Sequence, residues 1–81
     1  MNKTEIEQRV WNVFGRVFPS VKGQAPVLER TQETVAEWDS FGHLELIGAM
    51  EKEFDISFTL QEAQELHTPR AFAESISEKV Q

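Results

Sequence analysis

Apolar residues near the start of the chain recur with the period of an α-helix. At about 100° per residue they fall on one face, and the members of this stripe are Ile6, Val10, Val13, Phe14 and Val17. Thr4 followed by Glu7 has the spacing of a capping box, so we expect the helix to start there. The helix should end at Phe18, because the α region is disfavoured for the residue before Pro19.

Residues 19–39 show no such period. Pro19, Gly23 and Pro26 interrupt the stretch, and a connection of this length without structure is uncommon in a compact domain. We therefore expect an ordered loop that spans the domain, with room for a short helical turn. Its apolar residues should anchor it to the core, and they are Val21, Val27, Leu28, Val35 and Trp38.

A second helix is predicted from about Ser40 to Phe54. Its apolar stripe comprises Leu44, Ile47, Met50 and Phe54, with Leu46 on the same side. Asp39 or Ser40 is suited to the N-cap, because a short oxygen side chain accepts hydrogen bonds from the free N–H groups of the first turn. Gly42 and Gly48 each cost about 1 kcal/mol relative to alanine inside a helix. They indicate either the close approach of an external group or a weakly specified helix.

The last third of the chain predicts two more helices. Thr59 and Glu62 form a second capping box, which opens a short helix that ends near Leu66. Thr68 and Pro69 then restart the chain, with the threonine at the cap and the proline at the first helical position, where its missing N–H costs nothing. Apolar residues continue at helical spacing to the end, and they are Phe72, Ala73, Ile76 and Val80.

The predicted fold is all-α: residues 1–81 form a single domain, a small antiparallel four-helix bundle with three main helices, one short helix and a long first loop. The stretch 55–58 is too short to assign, and no second strand candidate is available to pair with it. We expect a core of Ile6, Val10, Phe14, Leu46, Met50, Phe54, Leu66, Phe72 and Ile76.

The charge of the chain changes which partners are expected. Its 81 residues include 8 Lys and Arg against 14 Asp and Glu, a net charge of −6, and no cysteine. A protein that binds nucleic acids or anionic membranes needs a basic surface, so neither is expected as a partner of this acidic chain. Proteins with basic patches are the favoured partners. Without cysteine the chain has no disulfide, no Cys-based metal site and no thiol nucleophile. We find no membrane-span or signal-peptide pattern, and we expect a cytoplasmic protein.

Ser40 and His43 are the first candidates for chemistry. On a helix they share a face, and Asp39 or Glu45 is available to orient the histidine as in a hydrolase. The nucleophile-elbow pattern is absent and a bundle of this size has little room for a pocket that excludes water, which argues against a hydrolase. His43 is then an ordinary, partly exposed helix residue. The spacing of His43 and His67 matches no metal motif.

Ser40 also stands at the start of a helix, after Asp39 and before Phe41. A phosphate-bearing group attached to this hydroxyl would lie against the free N–H groups and the positive end of the helix dipole. The alternative is that Ser40 only caps the helix. The chemistry of the residues alone leaves these two interpretations equally open.

The segment that surrounds Ser40 resembles the attachment site of acyl carrier proteins. Residues 38–47, WDSFGHLELI, are similar to the Asp-Ser-Leu motif of that family with the helix that follows it, and residues 50–56, MEKEFDI, to the acidic continuation that ends in Glu-Phe. Residues 59–66 and 68–80 are similar to the third and fourth helices. The resemblance covers nearly the whole chain, and helix order, a long first loop and acidity add to a motif that would be weak alone.

The resemblance implies that Ser40, preceded by Asp39, receives 4′-phosphopantetheine from coenzyme A through a separate, Mg²⁺-dependent phosphopantetheinyl transferase. The thiol of that arm would hold acyl groups as thioesters, which also explains a chain without cysteine. The chain would catalyse nothing and bind no metal. It would act as a monomer that delivers intermediates of fatty-acid, polyketide or related specialised biosynthesis to partner enzymes.

The resemblance also implies where partners bind. The family presents acidic residues of the second helix, around a small apolar patch, to basic patches on the transferase and on acyl-loading and condensing enzymes. The residues of this chain at the corresponding positions are the acidic Asp39, Glu45 and Glu51 and the apolar Phe41 and Leu44. Electrostatic steering with a small apolar anchor suits fast, weak and successive encounters.

Three positions depart from the family pattern. Phe41 replaces the usual leucine and is a larger anchor, and Gly42 replaces an aspartate that is common in fatty-acid carriers. Gly48, also within the expected partner-binding surface, replaces a bulky apolar residue near the region where acyl chains are often sequestered. It would either open space for a chain or reduce contact with it.

Two further functions stay open beside an acyl carrier. One is an aminoacyl- or peptidyl-type carrier, although the Gly-Gly that precedes the serine in many of those is replaced here by Glu37-Trp38 ahead of the aspartate. The sequence around Ser40 is more similar to free-standing carriers of specialised metabolism. The other is an acidic helical module for protein interactions that is never modified.

Overall fold

The computed structural model describes residues 2–80, and they form four α-helices close to the predicted positions. These are α1 (Lys3–Val17), α2 (Ser40–Phe54), α3 (Leu60–Glu65) and α4 (Pro69–Val80). Between α1 and α2 the chain forms two short 3₁₀ turns, Pro19–Val21 and Gln32–Thr34. No strand occurs in this described part of the chain. The predicted all-α class, with three longer helices, one short helix and a long first loop, is confirmed.

The start of α1 differs from the prediction. Oδ1 of Asn2 accepts a hydrogen bond of 2.8 Å from the backbone N–H of Glu5, so Asn2 is the N-cap. Thr4 therefore lies inside the first turn, and the expected capping box of Thr4 and Glu7 is wrong. The helix ends before Pro19, as predicted.

The buried face of α2 also differs from the prediction, although both ends of the helix are confirmed. The buried residues are spaced by four and are Gly42, Leu46, Met50 and Phe54. Leu44 lies about 160° around the helix from Leu46, because each residue turns the helix by about 100°, and it is 69% exposed. The prediction that Leu44 belongs to the core stripe is therefore wrong.

Both capping predictions in the last third are confirmed. The N–H of Thr59 donates to Oε1 of Glu62 (2.8 Å), and the N–H of Glu62 donates back to Oγ1 of Thr59 (3.1 Å). At the start of α4, Oγ1 of Thr68 accepts a hydrogen bond of 3.1 Å from the N–H of Ala71. These local hydrogen bonds satisfy donors that a helix start leaves without partners.

The core contains all nine predicted residues, each of which is buried. α1 packs against both α2 and α4. At the centre, the ring of Phe14 meets those of Phe18, Trp38 and Phe72 edge to face, at centroid distances of 5.9, 5.1 and 5.7 Å. This arrangement is favourable for aromatic rings. The buried hydrophobic residues beyond the predicted set are Trp11, Val13, Phe18, Val21, Val35, Trp38 and Ala73.

The long loop is held by some of its predicted anchors and not by others. Val21, Val35 and Trp38 are buried, as expected. Leu28 is half-buried, and its carbonyl accepts a hydrogen bond of 3.0 Å from the N–H of Arg70 in α4. Val27 is 43% exposed, so the prediction that it anchors the loop is wrong.

An ion-pair group joins α1 to α2 away from the aromatic centre. The carboxylate of Glu53 accepts hydrogen bonds from Nε of Arg9 (3.0 Å) and Nη2 of Arg16 (2.9 Å). Arg9 also donates to the backbone carbonyl of Glu53 and lies over the ring of Phe54. Partial burial opposes ionisation of Glu53, but the two arginines outweigh it and lower its pKa.

Candidate functional site

Ser40 is the first residue of α2, and it is exposed. Oδ1 of Asp39 accepts a hydrogen bond of 2.8 Å from the backbone N–H of Gly42, so Asp39 is the N-cap. Among residues 2–80, no hydrogen bond involves the Ser40 hydroxyl. The interpretation that Ser40 only caps the helix is therefore wrong, and its hydroxyl is left facing solvent.

The first turn of α2 retains backbone donors beside this hydroxyl. The N–H of Gly42 bonds to the Asp39 side chain, and the N–H of His43 bonds to the Asp39 carbonyl at 2.8 Å. No described residue accepts from the N–H of Ser40 or Phe41. These two groups lie at the positive end of a helix of 15 residues. The arrangement fits an anionic group on the Ser40 oxygen.

Trp38 fixes the segment that leads into Ser40. Its side chain is 1% exposed, and its ring lies 5.1 Å from that of Phe14 and 6.0 Å from that of Phe18. The indole N–H donates to Nδ1 of His43 at 2.9 Å. Trp38, two positions before Ser40, is therefore held by its burial in the core and by a hydrogen bond to the first turn of α2.

Glu37 holds the same segment from its other side. Its carboxylate accepts hydrogen bonds from the hydroxyl (2.5 Å) and the backbone N–H (3.0 Å) of Ser20. The Ser20 hydroxyl is the main cause of a lowered pKa of Glu37, which partial burial opposes. The 3₁₀ turn after α1 is thereby joined to the segment that precedes α2.

Both ring nitrogens of His43 have partners other than Ser40. Nδ1 accepts from the Trp38 indole, because an indole nitrogen only donates. Nε2 therefore carries the proton and donates to the carbonyl of Ala63 in α3, at 2.7 Å. In this arrangement His43 has no nitrogen free to accept the Ser40 proton, so the two residues do not form a nucleophile–base pair. His43 is not an ordinary surface residue but joins the loop, α2 and α3.

The exposed face of α2 carries most of the predicted partner-binding residues. Phe41 is 79% exposed and Leu44 is 69% exposed, and Glu45 and Gly48 are also exposed. These four residues have the i, i+3, i+4, i+7 spacing of one helix face. The face begins next to Ser40.

Glu51 differs from the residues of this exposed face, because its side chain interacts with another part of the chain. It is half-buried, and its Oε2 accepts a hydrogen bond of 2.9 Å from the N–H of Phe58, in the connection to α3. Its carboxylate is therefore engaged within the chain. Glu45 has no such hydrogen bond to any residue between 2 and 80. Of the two, Glu45 is the acid available to a partner.

The two glycines of α2 lie in different surroundings. A Cβ at Gly42 would lie 2.0 Å from the carbonyl oxygen of Glu37 and 3.0 Å from Cε1 of Phe18, whereas a Cβ at Gly48 would meet nothing within 4 Å. The close approach predicted for Gly42 therefore exists, but the approaching group belongs to the chain itself. At Gly48 the helix is open to solvent.

The sequence prediction missed how Trp38, His43 and Glu37 support Ser40. The sequence offered one signal for this support: His43 follows Trp38 by five residues, and the start of α2 lies between them. The partners of Glu37 and His43, however, are Ser20 and Ala63, which are distant in sequence and show no pattern with them.

Comparison with protein families and with curated proteins identifies no relative. No protein-family model matches the chain, and no curated protein matches it.

Within residues 2–80, no group of three or more histidine or carboxylate side chains is placed to hold a metal ion. No helix of this part is long and apolar enough to cross a membrane.

Proposed function

We propose that this chain is an acyl carrier protein and that Ser40 carries 4′-phosphopantetheine. One observation supports this above the others: Ser40 has an exposed hydroxyl at the start of α2, beside two N–H groups without partners among the described residues. A phosphodiester at this oxygen would accept from those groups at the positive end of the helix dipole. Ser57 is also exposed but lies in the irregular connection after α2, which offers no such arrangement.

The chemistry at Ser40 is the formation of one phosphodiester bond. The hydroxyl oxygen bonds to the pantetheine-side phosphorus of coenzyme A, its proton passes to the transferase, and adenosine bisphosphate leaves. When attached, the arm supplies a thiol that holds acyl groups as thioesters, which a chain without cysteine lacks. The residues around Ser40 hold the phosphate and keep the attachment point outside the core.

The exposed face of α2 is the proposed docking surface. Phe41 and Leu44 offer an apolar anchor next to Ser40, and Glu45 adds an acidic group on a molecule of net charge −6. The proposed partners are the phosphopantetheinyl transferase and acyl-loading and condensing enzymes with basic patches, steered by this charge. We propose a monomer that works in the cytoplasm. The engaged carboxylate of Glu51 would contribute through its field rather than by direct contact.

Modification in vitro tests the proposal. The purified chain is incubated with coenzyme A, Mg²⁺ and a transferase of broad specificity, and its intact mass is measured. We expect one phosphopantetheine increment in the parent and in the matched control Ser57→Ala, and none in Ser40→Ala. An unchanged parent mass, when a known carrier is modified in the same mixture, would contradict the proposal and favour an unmodified interaction module.

A further inference from the structure

The interior behind Ser40 is filled by aromatic rings. Trp38 is 1% exposed and lies against Phe14, Phe18 and the imidazole of His43, with centroid distances of 5.1, 6.0 and 6.2 Å. His43 lies 6.2 Å from Phe72 in turn. Protein cores are packed as densely as organic crystals. A linear chain that entered here from Ser40 would have to displace one of these rings.

The underside of the first turn of α2 is closed as well. A single carbon atom added at Gly42 would overlap the Glu37 carbonyl oxygen at 2.0 Å and touch Phe18 at 3.0 Å. Glu37 is itself held by Ser20. The space beside Gly42, in the first turn of the helix that Ser40 begins, therefore has no room even for a methyl group.

His43 joins α2 to α3 across the gap between these helices. Its ring accepts from the indole of Trp38 at 2.9 Å and donates to the Ala63 carbonyl at 2.7 Å. Opening this gap would break the hydrogen bond between His43 and the Ala63 carbonyl, which is unfavourable unless a new partner replaces it. Entry between these helices is therefore disfavoured.

Two clefts in the described part of the chain have linings that do not include Ser40. One, of about 300 Å³, lies between α1 and the first loop, and both polar and apolar residues line it, among them Asn12, Lys22, Trp11, Val21 and Pro26. The other, of about 390 Å³, lies between α1 and α2 and is lined by Arg9, Arg16, Ala49, Lys52 and Glu53. Neither includes Ser40, Trp38 or His43 in its lining.

We infer that this carrier keeps its cargo outside the bundle and that it therefore serves short or polar acyl groups, including aminoacyl groups. The inference rests on the proposed attachment at Ser40. A long alkyl chain that stays outside exposes apolar surface to water, and the unfavourable free energy grows with each methylene. A short or polar group avoids this, so the filled interior selects the class of substrate.

Loading with acyl groups of two lengths tests the inference. The transferase attaches acetyl- and octanoyl-pantetheine from the corresponding coenzyme A thioesters, and thermal unfolding and tryptophan fluorescence are measured. We expect Tm values within about 2 °C of each other and the same emission maximum. An octanoyl chain drawn into the core would raise Tm by about 10 °C or more and shift the emission of Trp38, which would overturn the inference.

A cavity variant shows that the assay detects a buried chain. Phe18→Ala removes the ring beneath Gly42, so octanoyl should raise the Tm of this variant above that of its acetyl form. If the Phe18→Ala variant does not fold, Phe18→Leu is used as the cavity variant instead. If octanoyl stabilises the parent as much as the cavity variant, the interior is open and the inference is wrong.

The same question can be asked without a transferase. Because the chain has no cysteine, Ser40→Cys provides one thiol that ethyl and octyl iodoacetamides label selectively. We again expect equal Tm values for the two labels, and stabilisation by the octyl label would overturn the inference. A parent chain that the transferase never modifies would overturn the proposed function and with it the class of cargo, whereas the two labels on Ser40→Cys would still show whether the interior admits an alkyl chain.

Discussion

Gly42→Ala tests the close packing on which the position of Ser40 depends. Alanine in a helix interior is normally favoured over glycine by about 1 kcal/mol, so a helix without this contact would be stabilised. Here the new Cβ would lie 2.0 Å from the Glu37 carbonyl oxygen, where ordinary contact begins at 3.4 Å. The clash is with backbone, so the segment that carries Trp38 must move.

The size of the effect follows from these two opposing contributions. Overpacking a dense core costs about 1–3 kcal/mol, and a backbone clash next to a buried tryptophan belongs at the upper end of this range. After the gain in helix propensity, we expect a net destabilisation of about 2 kcal/mol. For a domain of this size, that lowers Tm by about 8–16 °C.

Gly48→Ala is the matched control, because its Cβ would meet nothing within 4 Å. We expect it to stabilise the chain by about 1 kcal/mol and to raise Tm by about 4–8 °C. Both variants are measured by circular dichroism during thermal and urea unfolding. If Gly42→Ala is as stable as the parent, the close approach of Glu37 to α2 is wrong.

Three further predictions concern stability. Phe54→Ala removes a buried ring and should cost about 3–5 kcal/mol in urea unfolding; an unchanged midpoint would show that the core assignment is wrong. Asp39→Ala removes the N-cap of α2 and should cost about 1 kcal/mol, while Asp39→Asn, which keeps the acceptor, should lose less; equal losses would contradict a capping role. The carboxyls of Glu37, Glu53 and Glu62 have folded-state pKa values below their ordinary value of 4.5. Below that value the unfolded chain binds more protons than the folded chain, so their contribution is complete above about pH 4.5 and is lost as pH falls through the lowered values. Urea midpoints at pH 7 and pH 3 check this, and Glu53→Gln should reduce the difference between them; a difference that is unchanged in this variant would exclude Glu53 as a source.

Local signals predicted the helices well where the relevant hydrogen bonds are themselves local. The capping pairs at Thr59 and Thr68 join residues three positions apart, and the structure has both. The same kind of signal was wrong at Thr4, because Asn2 lies two residues earlier and provides a competing cap. A capping pattern therefore predicts that a helix begins, but its first residue depends on which nearby oxygen side chain takes the role.

Periodicity predicted the core of α2 less well than its bounds. Leu44 fits a stripe with steps of three, whereas the buried residues follow steps of four from Gly42. A glycine has no apolar side chain to mark its position in such a pattern. Only the approach of Glu37 from a distant part of the fold shows that this face points inward.

The prediction of the candidate site was limited in the same way. Ser40 and Asp39 follow from a local motif. The support given by Trp38 and His43 depends on Ala63 and on the aromatic core, which are brought together by the tertiary fold.

The measurement that tests the central claim most directly is the intact mass of the chain purified from its native host. Fragmentation of the peptide that contains Ser40 then locates any added group. We predict a mass raised by one phosphopantetheine, with or without a short acyl group on its thiol, and we predict that the addition lies on Ser40. An unmodified mass, in cells whose other carrier proteins bear the arm, would contradict the proposed function.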